Sequence, residues 1–218
     1  MRFGGIPAAI MKTAPGQLTV VAPEKLALPV DAAPRESKVD DRFTTVQLFY
    51  NGVASNAVLM PVAEFLPGLL TLEYPNLHPD QNADGNVRNQ DGTPNDVNHP
   101  AAAGSTVTFY GTGLGATKPA TLTPGAIANS TAAVPVTPLY SFFQPFSLTP
   151  PTPYPVSSLP GFVSAMFQIQ VQIPTTLSGR GGTAVGNGVT RLGFGLLPGP
   201  PIPEPFAAIS NTVNVYVK

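Results

Sequence analysis

The sequence contains no cysteine and no tryptophan, and only 11% of its 218 residues are charged. The absence of cysteine excludes disulfides, thiolate catalysis and cysteine-based zinc sites. A formal net charge of −1 provides no basic surface for nucleic acid or an anionic membrane, so neither is an expected partner. The most apolar window, residues 57–72, is interrupted by Pro61, Glu64 and Pro67. We therefore expect no membrane insertion.

Acids and bases are missing from most of the second half of the chain. No charged residue lies between Lys118 and Arg180, and no Asp or Glu lies between residues 97 and 203. No Gly-x-Ser-x-Gly motif occurs, and no paired carboxylates can be placed in this half. The sequence therefore predicts a protein that is not an enzyme and has no catalytic residues. The uncharged half must be solubilised by neutral polar residues or covered by a partner.

Glycine and proline together account for 48 of 218 residues, which disfavours long helices and predicts an all-β chain. Asn51-Gly52 between two apolar runs predicts a two-residue hairpin turn. The charged run 31–42 is interpreted as a solvated loop. The expected strands are Ile6–Met11, Gln17–Ala22, Thr44–Tyr50, Ala54–Val62, Leu69–Tyr74, Thr106–Tyr110, Val134–Phe143, Ala165–Ile173, Val189–Leu196 and Asn211–Val217.

The stretch Gly104–Gly115 reads as the opening strand of a complete domain. Thr106, Thr108 and Tyr110 alternate with Val107 and Phe109, and three glycines follow. A phosphate-binding loop would need a helix after these glycines, and none is indicated, so they are interpreted as a tight strand exit.

An internal repeat divides the chain into two related parts. The segment 17–23 matches 168–174 at an offset of 151 residues, and the segment 55–58 matches 210–213 at an offset of 155. Two matches in the same order predict two copies of one β domain. The expected division is an incomplete sandwich over 1–75, an Asp/Asn-rich linker over 76–103 and a complete sandwich over 104–218.

The first copy lacks the equivalent of the opening strand. Gly104 precedes Gln168 by 64 residues, whereas only 16 residues precede Gln17. A sheet without its neighbour exposes unpaired backbone groups, which invites pairing with another chain. Two interpretations stay open: the chain is a fragment of a longer protein, or a neighbouring subunit fills the gap.

Several of these segments resemble a bacterial secreted-protein domain of unknown function with IPT/TIG-like, that is immunoglobulin-like, β-sandwich repeats. The resemblance rests on Gly104–Gly115, the turn 89–92, the segment 14–17, the hairpin 46–58 and the segment 160–163. It implies two immunoglobulin-like sandwiches in tandem, outside the cytoplasm or at the cell surface, with no assigned catalytic residue. The chain departs from the pattern by lacking the N-terminal strands and by carrying the segment 80–85 and two proline-rich expansions.

One segment has the spacing of a calcium loop. Asp80, Asn82 and Asp84 occupy the first three ligand positions, Asn86 supplies a backbone carbonyl and Asp91 stands at position 12, with a glycine at position 6. The prolines at 79 and 94 disfavour the helices that flank a calcium loop of this kind, so a plain interdomain turn is the alternative. The histidines at 78 and 99 flank the same segment. We interpret them as solvent-exposed side chains, which is a simpler explanation than a zinc site.

The proline-rich expansions 145–160 and 197–206 are interpreted either as contact surfaces or as rigid caps of their own sandwich. The aromatic cluster Phe142, Phe143, Phe146 and Tyr154 is interpreted as core, with a docking or sugar-stacking patch as the alternative. The sequence thus predicts an extracellular structural protein that self-assembles into a surface layer or filament by strand complementation, as a homo-oligomer or polymer. The alternative is a carbohydrate-binding or adhesion module, with a surface glycan as partner and calcium as the one candidate cofactor.

Overall fold

The computed structural model describes residues 1–23, 43–62, 66–72, 83–113, 115, 117–118, 126–128, 134–135, 139–144, 147–148, 156–163, 165–173, 175, 183–198 and 210–218. All regular elements in these ranges are β-strands, which confirms the prediction of an all-β chain. The charged run 31–42 lies outside the described residues.

Twenty-one strands are described. In chain order they are β1 (Arg2–Phe3), β2 (Ile6–Pro7), β3 (Ala9–Ala14), β4 (Gln17–Val21), β5 (Phe43–Gln47), β6 (Phe49–Tyr50), β7 (Val53–Ala54), β8 (Val58–Pro61), β9 (Gly68–Leu69), β10 (Ala83–Asp84), β11 (Val87–Arg88), β12 (Thr106–Thr112), β13 (Thr117–Lys118), β14 (Val134–Pro135), β15 (Leu139–Gln144), β16 (Ser147–Leu148), β17 (Val156–Ser158), β18 (Met166–Gln172), β19 (Thr183–Gly186), β20 (Val189–Pro198) and β21 (Val213–Val217).

Two sheets in the C-terminal part pack face to face, and we call this unit the C-terminal sandwich. One sheet has the order β11-β12-β18-β17, with β9 also paired to β12. The other has the order β10-β21-β20-β15-β16, with β19 also paired to β20. Phe109 of the first sheet stacks on Phe194 of the second, with ring centroids 3.8 Å apart. One apolar core therefore joins both sheets.

The core follows from the alternation of each strand. Along β12 and β18 every second residue is buried, so one face of each strand points into the sandwich. The central strands pair antiparallel over seven residue pairs, from Thr106 opposite Gln172 to Thr112 opposite Met166. The core residues are Leu69, Val87, Ala101, Val107, Phe109, Phe143, Val156, Phe167, Ile169, Val171, Ile173, Leu192, Phe194, Val213, Val215 and Val217.

The described part of the predicted linker, residues 83–103, is built into this sandwich. Strand β10 pairs parallel with β21, strand β11 pairs antiparallel with β12, and Ala101 forms a bridge with Val217. Strand β9, expected in the first domain, pairs with β12, and its Leu69 lies in the core. Residues 83–103 and β9 are therefore part of the C-terminal sandwich by strand pairing, and the division into 1–75, 76–103 and 104–218 stays a prediction.

The N-terminal region, which we define as residues 1–62, contains a four-stranded sheet of order β2-β1-β5-β8 and two small hairpins, β3–β4 and β6–β7. The turn between β6 and β7 is Asn51-Gly52, with φ values of 48° and 80°. Positive φ at both positions is the geometry of a type I′ turn, as the sequence predicted. Among the described residues, no strand pairing joins this region to the C-terminal sandwich.

Candidate interaction surface

The second match of the repeat has the same local structure in both copies. The Ser55 hydroxyl donates to the carbonyl of Asn56 at 2.8 Å, and the Ser210 hydroxyl donates to the carbonyl of Asn211 at 2.8 Å. Each motif leads directly into a strand, β8 in the first copy and β21 in the second. The sequence match thus corresponds to equivalent strand entries.

The two equivalent strands differ sharply in burial. Val213 and Val215 of β21 are both fully buried. Their counterparts at the offset of 155, Val58 and Met60 of β8, are 51% and 46% exposed. Every residue of β8 is exposed, whereas every residue of β21 is buried. An apolar strand that forms core in one copy lies at the surface in the other.

The outer edge of β8 also lacks a backbone partner within the described residues. The Gly4 N–H donates to the Thr45 carbonyl at 2.8 Å, so the polar groups of Thr45 point toward β1. Leu59 lies opposite Thr45 on the far side of β5. Because hydrogen-bonding direction alternates along an antiparallel pair, the N–H and C=O of Leu59 point away from the sheet. Leu59 is 68% exposed.

In the C-terminal sandwich the equivalent edge is covered by residues 83–101. The Gly85 N–H donates to the carbonyl of Asn214, the counterpart of Leu59, at 3.1 Å. At the next outward position, the Asn95 side chain accepts from the Tyr216 N–H and donates to the Tyr216 carbonyl, both at 2.8 Å. Asn95 is buried and acts beside the backbone of Ala101, whose N–H also donates to the Tyr216 carbonyl at 2.9 Å. In the first copy, no described residue satisfies the outer edge of β8 in this way.

The first match of the repeat shows a second difference of this kind. Strand β18 has neighbours on both sides, β12 and β17. Its counterpart β4 is paired only with β3 among the described strands. Ile169 and Val171 of β18 are fully buried, whereas their counterparts Leu18 and Val20 are half-buried. Among the described strands, none occupies beside β4 the position that β12 has beside β18.

The exposed apolar residues concentrate in the N-terminal region. Tyr50 is 75% exposed at the hairpin tip. No charged residue occurs from position 43 to position 63, so the edge strand carries none of the lysines that commonly protect sheet edges. Among the described residues of this region, the exposed large apolar side chains are Ile10, Met11, Phe43, Leu48, Phe49, Tyr50, Val53, Val58, Leu59 and Met60. We call β4, β8 and these side chains the open edge surface.

The predicted calcium ligands are not brought together by the described contacts. Asp80 and Asn82 lie outside the described residues. The Asp84 carboxylate accepts from Asn214 Nδ2 at 3.0 Å and from Tyr216 Oη at 2.9 Å, which ties β10 to β21. Asn86 donates its backbone N–H to Leu70, and Asp91 lies in the turn that follows β11. The calcium site stays a prediction.

The turn after β11 is held by two carboxylates. Thr93 donates both its hydroxyl and its N–H to Asp91, at 2.6 and 2.9 Å, and these bonds lower the pKa of Asp91. Burial raises the pKa of Asp96, but hydrogen bonds from His99 and Asn98 outweigh it, so the pKa is lowered. The His99 Nδ1 atom lies 3.1 Å from Asp96 Oδ1. His78, the other histidine, is outside the described residues.

The glycines after the opening strand have a structural role. Gly111 lies within β12, and a Cβ there would collide with the Phe167 ring. Gly113 has φ of 86°, and a Cβ there would collide with the carbonyl of Leu66. The Leu66 N–H in turn donates to the Gly113 carbonyl at 3.0 Å. Because glycine has no Cβ, these two positions allow the chain before β9 to pack against the end of β12.

The predicted aromatic cluster is described only in part. Phe143 is buried in the core and packs 5.2 Å from Phe194, as the core interpretation predicts. Phe146 and Tyr154 lie outside the described residues, and of Phe142 only the strand position is described. The described ends of the expansion 145–160 form β16 and β17, whereas residues 199–206 of the other expansion are outside the described ranges.

In comparisons with known proteins, no protein-family model, no curated protein and no solved structure matches this chain. The described residues contain no group of three or more His, Cys, Asp or Glu side chains suited to hold a metal ion. They also contain no helix that is both long and apolar enough to cross a membrane.

Sequence reasoning missed the two asparagines that complete the sheets. Asn211 accepts from the Leu69 N–H at 2.7 Å and donates to the Leu69 carbonyl at 3.0 Å, as Asn95 does with Tyr216. The signal available was the position of Asn211 inside the repeated segment 55–58/210–213. Nothing in the sequence singles out Asn95 from the other asparagines of 82–98.

Proposed function

We propose that the protein is a non-enzymatic structural subunit that assembles through its N-terminal region. A polypeptide strand from a neighbouring chain completes the first copy of the repeat. The assembled chains form part of a surface layer or filament outside the cytoplasm. The two copies are proposed to be immunoglobulin-like sandwiches, of which the first is incomplete.

The observation that carries this proposal is the contrast between β8 and β21. Both strands follow the same Ser-Asn motif, yet β21 is buried throughout and β8 is exposed throughout. Burying a valine or leucine side chain is worth about 1.5–3 kcal/mol. An uncharged, apolar strand with an open edge therefore gains most by pairing with another chain.

Sedimentation velocity of the 218-residue chain over a range of concentrations tests this proposal. We expect species larger than a monomer, and we expect Leu59→Lys to reduce them, because a charge at an edge position opposes strand addition. Val97→Lys is the matched control, since Val97 is also exposed and aliphatic but lies outside the N-terminal region. A chain that stays monomeric and stably folded at all concentrations contradicts the proposal.

Exposed aromatic side chains favour a second candidate function, a carbohydrate-binding or adhesion module. Phe49 and Tyr50 are both exposed next to the turn Asn51-Gly52, where sugar rings can stack on aromatic faces. Binding to a glycan array that is lost in Tyr50→Ala supports this candidate. No binding to the glycan array, together with concentration-dependent assembly, favours the structural subunit.

Calcium stays part of the proposal as a candidate ligand of Asp80, Asn82, Asp84, Asn86 and Asp91. Calorimetry with added calcium, combined with a thermal unfolding scan, tests it directly. Heat of binding and a higher melting temperature support the site. The absence of both effects leaves the segment as a structural turn.

A further inference from the structure

We infer that the open edge of β4 is a docking site for one uncharged β-strand of a separate polypeptide, with the chemistry and direction of Thr106–Thr112. This inference rests on the proposed function, because it names the partner strand and its register. It is carried by the C-terminal sandwich, which shows what covers the equivalent edge.

The register follows from the repeat. In the C-terminal sandwich, β12 runs antiparallel to β18, with Val107 opposite Val171 and Phe109 opposite Ile169. The counterparts of Val171 and Ile169 in β4 are Val20 and Leu18. A docked strand therefore places a valine-like residue opposite Val20 and a phenylalanine-like residue opposite Leu18.

The chemistry of the two surfaces matches. Residues 13–23 carry no charge, and neither do residues 104–117. Val107 and Phe109 are almost fully buried in β12, while Leu18 and Val20 are half-buried. A partner recognised by charge has nothing to bind at this edge, whereas an uncharged strand with apolar residues at alternate positions fits it.

Among the described strands, the one with the matching chemistry, β12, is not available to β4 within the same chain. The chain's own β12 is already paired with β18 over seven residue pairs, so it is not free to pair with β4. Strand β3 already lies on the other side of β4. The proposed docking strand is a segment of another polypeptide, in which it is not already paired.

Disulfide trapping with a synthetic peptide of residues 104–113 tests this inference. The native chain has no cysteine, so each introduced thiol is unique. Thr108 pairs with Gln170, whose counterpart is Thr19. Directly opposite residues lie about 4.5–5.5 Å apart between Cα atoms, within disulfide range. The peptide carries Thr108→Cys, and the full-length chain carries Thr19→Cys.

Thr13→Cys is the matched control, because Thr13 is an exposed threonine of the same hairpin on β3. We expect Thr19→Cys to cross-link at least about tenfold faster than Thr13→Cys. A peptide that also carries Val107→Lys and Phe109→Lys should lose that advantage, since lysines cannot occupy the apolar face. Equal rates for the two threonine positions, or no cross-link at Thr19→Cys, overturn the inference.

Sedimentation of the unmodified chain separates this inference from the proposed function. A chain that assembles but does not cross-link at Thr19→Cys retains the proposed function and loses the docking site on β4. A chain that stays monomeric but cross-links selectively at Thr19→Cys retains the docking site and shows that self-assembly is wrong.

Discussion

Val58 and Val213 form a matched pair for testing whether the first copy is incomplete. They are the same residue type at equivalent positions of the repeat, and they differ in burial. Val213→Ala removes two methyl groups from a fully buried site. Their transfer free energy is worth about 1.6 kcal/mol, and the cavity that they leave adds to the loss. We expect a loss of about 2–3 kcal/mol in the free energy of unfolding. Val58 is about half exposed, so Val58→Ala should cost less than about 1 kcal/mol in dilute solution.

Urea unfolding followed by circular dichroism at low protein concentration measures both variants. Val213→Ala should also lower the melting temperature by roughly 4–12 °C. Under conditions in which the wild-type chain assembles, Val58→Ala should weaken assembly, because Val58 becomes buried there. If Val58→Ala costs as much as Val213→Ala in dilute solution, Val58 is already buried and the first copy needs no partner.

Three further predictions concern the C-terminal sandwich. Asn95→Ala removes both side-chain hydrogen bonds to the Tyr216 backbone and should lower the free energy of unfolding by about 1–3 kcal/mol in urea. Asn95→Asp should cost more, because a carboxylate would face the Tyr216 carbonyl. An unchanged urea midpoint for both variants contradicts the role given to Asn95. Gly113→Ala should lower the free energy of unfolding by more than about 1–2 kcal/mol in the same assay, since alanine disfavours positive φ and its Cβ would collide with the Leu66 carbonyl. If this variant is as stable as the wild type, the chain does not follow the described path at Gly113. The pKa values of Asp91 and Asp96 are lower in the folded than in the unfolded chain, so their stabilisation is complete above the unfolded-state pKa and is lost as the pH falls through the folded-state pKa. Unfolding at stepwise lower pH should show this loss, and it should be smaller in Asp91→Asn; an identical acid profile contradicts it.

Local patterns predicted the elements whose structure is decided locally. The alternation around Val107 and Phe109 identified β12, and Asn51-Gly52 identified the hairpin turn because only a few residue types accept positive φ. Strands β10 and β11 were not predicted. Each has two residues, and β10 pairs with β21, which is 130 residues away in sequence, so no local periodicity reports it.

The open edge surface could be predicted only in part. The repeat predicted that the first copy lacks an opening strand, but it did not predict which strands would be exposed. Val58, Leu59 and Met60 are apolar on both faces of β8, a pattern that sequence periodicity cannot distinguish from a buried strand. Only the burial of β8 against that of β21 separates the two cases.

Electron cryo-microscopy of the assembled protein shows what lies beside the N-terminal strands. We expect a strand from a neighbouring polypeptide beside β4, antiparallel to it, with side chains against Leu18 and Val20. Assembled particles in which the edges of both β4 and β8 face solvent would show that strand addition does not hold the assembly together.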